Sequence, residues 1–96
     1  MPSNDLPLKE ALKAFINESK TFKAKLYQAK VKDHWQKAMS PSILRYTTEV
    51  KVYRQKLYLK ITSAPLRQEL MYGKDKIKGM MNEMLGEEYI KEVVIR

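Results

Sequence analysis

Two short runs of alternating residues in the middle of the chain restrict its fold more than any other feature. In residues 48–53 and again in residues 57–62, apolar side chains occupy every second position, which is typical of β-strands with one buried face. The short connection Arg54-Gln55-Lys56 separates the two runs. The pattern therefore predicts a β-hairpin.

The apolar positions also predict the register of this hairpin. With Arg54 and Gln55 as a two-residue loop, the aliphatic residues of both strands share one face, whereas a slip by one residue would bury charge. A four-residue loop keeps the faces but places two lysines opposite each other, which is less favourable. Arg-Gln is not the Asn-Gly type of pair that two-residue loops prefer. We expect the cross-strand pairs Val52–Leu57, Val50–Leu59, Lys51–Tyr58 and Glu49–Lys60.

Helical periodicity on both sides of the hairpin completes the fold prediction. Apolar residues at helical spacing predict helices over residues 7–18, 22–39 and 65–85, with a polar break at residues 17–21. The final run, residues 89–96, predicts a third strand beside the hairpin. The predicted fold class is α+β, a small three-stranded sheet packed by helices on one face, in the order α-α-β-β-α-β.

Several single residues carry structural predictions of their own. Trp35 lies in register with the apolar stripe of the second helix, which favours a core anchor over an exposed stacking platform. Pro41 is predicted to end that helix, and Ser63 to cap the next one. Gly73 lies on the apolar side of the predicted third helix and suggests close packing on the sheet, whereas Gly86 predicts the C-cap.

The length of the chain limits these elements to a single domain over residues 1–96, with residues 1–6 flexible. The absence of cysteine excludes a disulfide framework and a thiolate zinc site. The first residues lack the features of a signal peptide, and no apolar run approaches the roughly 20 residues that span a bilayer. We therefore expect a soluble cytoplasmic protein.

The net charge of +8 is concentrated in the first part of the chain. Residues 1–60 contain 13 Lys/Arg and 5 Asp/Glu, whereas residues 61–96 contain 6 of each. A positive field on one part of a small domain attracts polyanions, which favours a nucleic-acid partner. An acidic protein, a membrane surface, or lysines that serve only solubility are the alternatives from charge alone. The second helix lacks a broad apolar face for lipid and Trp35 is expected to be buried, so we predict no membrane partner.

Residues that could support catalysis are few. His34 is the only histidine, and its neighbour Asp33 cannot face it on a helix. No His/Asp/Glu cluster has metal-ligand spacing. The segment Gly73-Lys74-Asp75 lacks the remaining residues of a phosphate-binding loop, and Glu87-Glu88 is typical of a solvated turn. We therefore predict a protein that is not an enzyme and has no cofactor, no metal site and no small-molecule substrate.

Cations and aromatic residues alternate along the predicted hairpin. Phosphates are bound by lysine and arginine, and unstacked bases can stack on tyrosine. The pairing of Lys51 with Tyr58 would offer both at one point, although Tyr58 could equally cover the lysine stem. Nothing in the pattern indicates base-specific readout, so binding should depend on salt and tolerate sequence. The interleaved set is Tyr46, Lys51, Tyr53, Arg54, Lys56, Tyr58 and Lys60.

Motifs along most of the chain resemble those of the DciA-like family. The resemblance covers residues 8–96. Within the family, the chain is similar in particular to the short single-domain members of Bacteroidetes-type bacteria. Two departures from the family pattern are Ser40, where members usually have glycine, and the lack of a Gly-x-x-Gly loop. The matching motifs are Val31-x3-Trp35-x3-Met39, Leu57-Tyr58-Leu59-Lys60-Ile61, Ser63-x2-Leu66-Arg67-x-Glu69-Leu70, Leu85-Gly86 and Ile90-x2-Val93-Val94-Ile95.

The resemblance implies a K-homology-like fold, a role in chromosome replication, and operation or loading of the DnaB-type replicative helicase. It also implies affinity for DNA, especially single strands and forked ends. Together with the charge, this predicts a replication accessory protein that binds such DNA through a basic helix and the hairpin. The alternative is a non-enzymatic protein-interaction adaptor that binds no nucleic acid.

A DNA-binding surface and a helicase-binding surface each have candidate residues in the sequence. Three methionines within five positions cannot all face inward, so Met80 is predicted to lie on an adaptable surface near Glu83. Met80 and Glu83 are the candidates for the helicase contact, because the charge-neutral end of the chain on which they lie would not compete for phosphates. The nucleic-acid-binding candidates are Lys30, Lys32, Lys37, Arg45, Lys51, Arg54, Lys56, Tyr58 and Lys60.

Overall fold

The computed structural model describes the backbone of residues 5–96 and the side chains of residues 21–96. Of residues 1–6, which were predicted to be flexible, residues 1–4 lie outside this part and residues 5 and 6 begin the first helix. The side chains of the apolar stripe predicted for the first helix also lie outside it. The fold class is α+β with a three-stranded sheet, as predicted. The elements are α1 (Asp5–Ala38), α2 (Pro41–Tyr46), β1 (Thr47–Tyr53), β2 (Lys56–Ile61), α3 (Ala64–Tyr72), α4 (Lys74–Leu85) and β3 (Glu92–Ile95).

The two helices predicted before the hairpin are one continuous helix. The expected break at residues 17–21 is wrong, because α1 runs without interruption from Asp5 to Ala38. That segment contains only polar residues and neither glycine nor proline, and polar residues of this kind remain compatible with a helix. Pro41 does follow the helix end, and it begins α2, where the Ser40 hydroxyl accepts a hydrogen bond from the Ile43 backbone N–H.

The single helix predicted over residues 65–85 is divided at Gly73 into α3 and α4. Gly73 has φ −102° and ψ 15°, outside the helical region, and its N–H bonds to the Leu70 carbonyl at the end of α3. A Cβ at this position would meet only that carbonyl oxygen, at 3.7 Å. The predicted close packing of Gly73 on the sheet is therefore wrong, and the residue marks a helix junction instead. Ser63 and Gly86 cap α3 and α4 as predicted.

The sheet has the order β1-β2-β3, with an antiparallel hairpin and a parallel third strand. All four predicted cross-strand pairs of the hairpin are present. The third strand is shorter than predicted and pairs with β2 in parallel, because α3 and α4 return the chain to the same end of the sheet. Arg54 and Gln55 form the two-residue turn with φ of 51° and 63°, the left-handed backbone that such turns require.

One face of the sheet is covered by helices and forms the core. Val31 and Trp35 of α1 are completely buried there, as the periodicity predicted for Trp35. The Trp35 indole N–H donates to the Thr47 hydroxyl at 3.3 Å, so its one polar group has a partner. The buried residues that complete this cluster are Leu57, Leu59, Ile61, Ile77, Met81, Leu85, Ile90, Val93 and Ile95.

The β1 edge of the sheet is closed by one side chain of α1. The amide of Gln28 donates to the Val50 carbonyl at 3.0 Å and accepts a hydrogen bond from the Val52 N–H. These two backbone groups point away from β2, and at an open edge they would be free to pair with another chain. Gln28 therefore positions α1 along β1 and occupies the hydrogen-bonding groups of the edge strand.

Candidate nucleic-acid interface

The face of the sheet opposite the helices, called here the outer sheet face, presents a row of charged and aromatic side chains. Residues of β1 and β2 alternate between the two faces, so the valines and leucines of the hairpin enter the core while their neighbours point outward. The same parity extends to β3 and to the residue after it. The outer sheet face comprises Glu49, Lys51, Tyr53, Lys56, Tyr58, Lys60, Glu92, Val94 and Arg96.

Two tyrosines and two cations form a shallow depression on this face. Lys51, Tyr53, Tyr58 and Arg96 line it together. The Arg96 guanidinium carbon lies 5.0 Å from the centre of the Tyr58 ring, and the Lys51 Nζ lies 5.6 Å from the centre of the Tyr53 ring. Cations at these distances interact favourably with an aromatic ring. Tyr53 keeps 54% of its surface exposed, so an aromatic surface remains available to a ligand.

The hairpin tip adds one cation to this depression, and a second cation is paired. The Arg54 guanidinium carbon lies 5.4 Å from the centre of the Tyr53 ring. Lys56 forms an ion pair with Glu92 at 3.4 Å, with both side chains about half exposed. Lys60 opposes Glu49 across the strands, but no ion pair joins them within the described residues. Within the described residues, the cations of this face and its tip that form no ion pair are therefore Lys51, Lys60, Arg54 and Arg96.

The predicted cations of α1 and α2 do not lie on the outer sheet face. Lys30, Lys32 and Lys37 are exposed on α1, which packs against the opposite side of the sheet. Lys37 pairs with Asp33 one helical turn earlier, at 2.9 Å. Arg45 is exposed in the last turn of α2. The structure thus brings together Lys51, Arg54, Lys56, Tyr58 and Lys60 and separates them from the helical candidates.

A second cluster connects α1 to the loop after α4. The Tyr27 hydroxyl and the Lys23 ammonium group both donate to the Glu87 carboxylate, at 2.7 and 3.0 Å. These hydrogen bonds, with that of Tyr27 the stronger influence, lower the pKa of Glu87. The bond to Glu87 raises the pKa of Tyr27 and of Lys23. Tyr89 packs edge-to-face on Tyr27, with the ring centres 4.7 Å apart. Lys23 is therefore already paired by its own chain.

The candidates for a protein contact lie on α4. Glu83 is exposed and lines an open groove along one side of that helix. Met80 is half-buried and packs against the core cluster, so only part of its side chain is available. Since α4 packs on the core face of the sheet, its solvent-facing side points away from the outer sheet face. The groove is lined by Asp75, Lys78, Gly79, Asn82, Glu83, Gly86, Glu87 and Glu88.

Metal-binding clusters and membrane-spanning helices are both absent from the described part of the chain. Among the residues with described side chains, no group of three His, Cys, Asp or Glu could hold a metal ion. No helix in the described part of the chain is both long and apolar enough to cross a bilayer. His34 is half-buried on α1.

Two residues of the depression were missing from the predicted site. Tyr53 belonged to the interleaved set but was not among the site candidates, although its place at the end of β1 gives it the same parity as Lys51. Arg96 was part of the charge-balanced end of the chain. Its parity with Glu92 and Val94 was visible in the sequence, but its contact with Tyr58 depends on the parallel pairing of β3 with β2.

A family model matches nearly the whole chain. The model described as "Dna[CI] antecedent, DciA" matches residues 7–95, nearly the whole sequence. No curated protein and no solved structure matches the chain. The similarity to K-homology domains therefore stays a prediction.

Proposed function

The chain belongs to the DciA family, which is associated with loading of the DnaB helicase in replication, and we propose that it binds DNA during this task. The proposed ligand is single-stranded or forked DNA. The proposed binding surface consists of the outer sheet face and hairpin tip. The exposed residues Arg45, Lys30, Lys32 and Lys37 are the candidates from which any further contacts would come. Membership of the family supports a role in helicase loading. The cations and tyrosines of the outer sheet face support DNA as the ligand.

The observation that carries this proposal is the open depression formed by Lys51, Tyr53, Tyr58 and Arg96. Its cations can neutralise phosphates, and the exposed ring of Tyr53 can stack on an unpaired base. No helix in the described part of the chain covers this face. The depression offers no buried array of hydrogen-bonding groups that would read base edges, so the proposed binding tolerates sequence.

A salt-dependent titration with matched variants tests the proposal. Fluorescence anisotropy with labelled single-stranded and forked oligonucleotides should show binding that weakens as salt rises. The triple variant K51Q/K56Q/K60Q should weaken binding and flatten the slope of log K against log salt by up to about 2, since each neutralised phosphate of a single strand contributes roughly 0.7.

The control removes three lysines from another surface. K74Q/K76Q/K78Q on α4 changes the net charge by the same amount but lies away from the outer sheet face. It should alter the affinity much less, because charges beyond about 10 Å are largely screened at 0.1 M salt. Undetectable binding at low salt, or equal losses for both triple variants, would contradict the proposed surface.

We propose that the helicase contact uses the solvent-facing side of α4, around Met80 and Glu83. Support comes from position, because this side points away from the outer sheet face and leaves both partners room to bind. Isothermal titration calorimetry with the purified replicative helicase should show that E83K and M80A bind the helicase more weakly than the unmodified chain. E69K on α3 should bind it as tightly as the unmodified chain. A chain that binds the helicase and binds no oligonucleotide would favour the adaptor alternative.

A further inference from the structure

We propose that the DNA strand continues from the outer sheet face around the β1 edge and enters a groove between β1 and α1. Lys25 and Lys32 are then the helical residues that contact its backbone, whereas Lys30 and Lys37 do not. This inference rests on the proposed function, since it extends the path of the same ligand.

The groove consists of two adjoining depressions along the junction of α1 and β1. Lys25 and Gln28 line one with Lys51, and Lys32 and Gln36 line the other. Glu49 and Val50 line both, so the two depressions are continuous along the strand. We call this surface the edge groove and define it by Lys25, Gln28, Lys32, Gln36, Glu49 and Lys51.

Lys51 connects the edge groove to the depression on the outer sheet face. It lines the depression with Tyr53, Tyr58 and Arg96, and it also lines the edge groove with Lys25. A polyanion bound at Lys51 therefore has two directions in which to extend. The path across the sheet leads to Arg96, and the path around the edge leads to Lys25 and Lys32.

The positions of the α1 lysines decide which of them can take part. Residues of an α-helix are related by about 100°, and seven residues make almost two full turns. Lys25 and Lys32 therefore share one side of the helix, about 10 Å apart along its axis. Neither forms an ion pair within the described residues. Both are exposed, so their ammonium groups are available to phosphates.

Lys30 and Lys37 face away from the edge groove. Lys30 and Lys32 are two residues apart, which places them on nearly opposite sides of the helix. The Lys30 Nζ lies 6.0 Å from the centre of the Tyr27 ring. Lys30 is therefore next to the cluster that connects α1 to the loop after α4. Lys37 shares the side of Lys30 and is paired with Asp33. These two lysines therefore make a matched control for Lys25 and Lys32.

The backbone of β1 argues against an extended peptide as the occupant. A peptide that added a strand to this edge would need the Val50 carbonyl and the Val52 N–H. The Gln28 amide already bonds to both groups. What the groove offers is lysine side chains along its rim, and these are suited to a phosphate backbone rather than to main-chain pairing.

Glu49 gives the inference a second test. Because Glu49 also belongs to the outer sheet face, the decisive result is the absence of any gain when its charge is removed. Glu49 lines both the depression of Lys25 and the depression of Lys32, and it forms no ion pair within the described residues. A phosphate backbone that passed through the groove would be repelled by this charge. Replacing Glu49 with glutamine should therefore tighten DNA binding, a gain that cannot arise from partial unfolding.

The experiment compares two double variants and two single variants in the same anisotropy titration with a labelled single-stranded oligonucleotide. K25Q/K32Q should weaken binding roughly tenfold and reduce the salt slope by about 1.4, the value for two phosphate contacts on a single strand. K30Q/K37Q, with the same loss of charge on the same helix, should change the affinity less than threefold. E49Q should tighten binding severalfold, whereas E69Q on α3 should leave the affinity nearly unchanged.

The outcomes separate this inference from the function on which it rests. If the unmodified chain binds no oligonucleotide at low salt, the proposed function and the path both fail. If K51Q/K56Q/K60Q weakens binding but K25Q/K32Q has no more effect than K30Q/K37Q, DNA binding stands and the edge path is refuted. An E49Q affinity no higher than that of the unmodified chain would also overturn the path.

Discussion

The replacement of Gln28 by alanine tests how the long helix is attached to the sheet. Gln28 makes two hydrogen bonds to the edge of β1, one to the Val50 carbonyl and one from the Val52 N–H. A hydrogen bond between uncharged groups contributes about 1 kcal/mol to stability. Q28A should therefore lower the free energy of unfolding by about 2 kcal/mol, and more if the half-buried Val52 N–H finds no water.

The matched control for this prediction is Q36A. Gln36 lies eight residues later on the same helix and is exposed, with no hydrogen bond within the described side chains. Both changes alter helix propensity equally, so their difference isolates the contacts to β1. In thermal unfolding, Q28A should melt roughly 8–15 °C lower than the unmodified chain. Q36A should differ by at most a few degrees.

A third variant separates hydrogen bonding from packing. Q28M keeps a side chain of similar length but can neither donate to Val50 nor accept from Val52. It should be destabilised about as much as Q28A, and both variants should self-associate more, because they expose an unpaired strand edge. Denaturant unfolding and light scattering measure the two effects. If Q28A or Q28M proves as stable as Q36A, the assignment of these two hydrogen bonds to Gln28 is refuted.

The other two predictions concern single polar side chains. Asn82 is 8% exposed, and its amide donates to the Ile90 carbonyl at 3.0 Å and accepts from the Ile90 N–H at 2.7 Å. N82A should cost about 2–4 kcal/mol by leaving both groups unpaired, and denaturant unfolding that shows less than 1 kcal/mol would contradict this. The pKa of Glu87 in the folded protein is lower than its ordinary value of 4.5. The Glu87 carboxylate therefore stabilises the fold above pH 4.5, and this stabilisation is lost as the pH falls through the pKa of the folded state. The melting temperature of the unmodified chain should therefore exceed that of E87Q at neutral pH, with the gap closing below about pH 4.5; E88Q should show no such gap.

The hairpin could be predicted in detail because its information is local. Alternation over two short runs defines which side chains share a face, and a slip of one residue would reverse every face at once. The register between Lys51 and Tyr58 therefore followed from the pattern alone. The burial of Trp35 followed in the same way from helical spacing.

The helix boundaries were harder to predict because their signals were ambiguous. A polar segment without glycine or proline, such as residues 17–21, can interrupt a helix or continue it, and here it continues α1. Gly73 was interpreted as a packing residue within a helix, whereas it separates two helices. In both places the local residues permit two conformations, and the surrounding structure selects one.

The two faces of the sheet, the burial of Trp35 and the excess of cations in the first 60 residues could all be predicted, because each depends only on periodicity or composition. Which cations remain available, and which surface they share, depends instead on how distant segments pack. The folded structure shows three such long-range contacts. It pairs Lys23 with Glu87, 64 positions away, and the parallel pairing of β3 places Arg96 on Tyr58. It also places Gln28 on the β1 edge. Contacts of this kind join distant segments whose relative position follows from packing of the whole core, and no local pattern encodes that position.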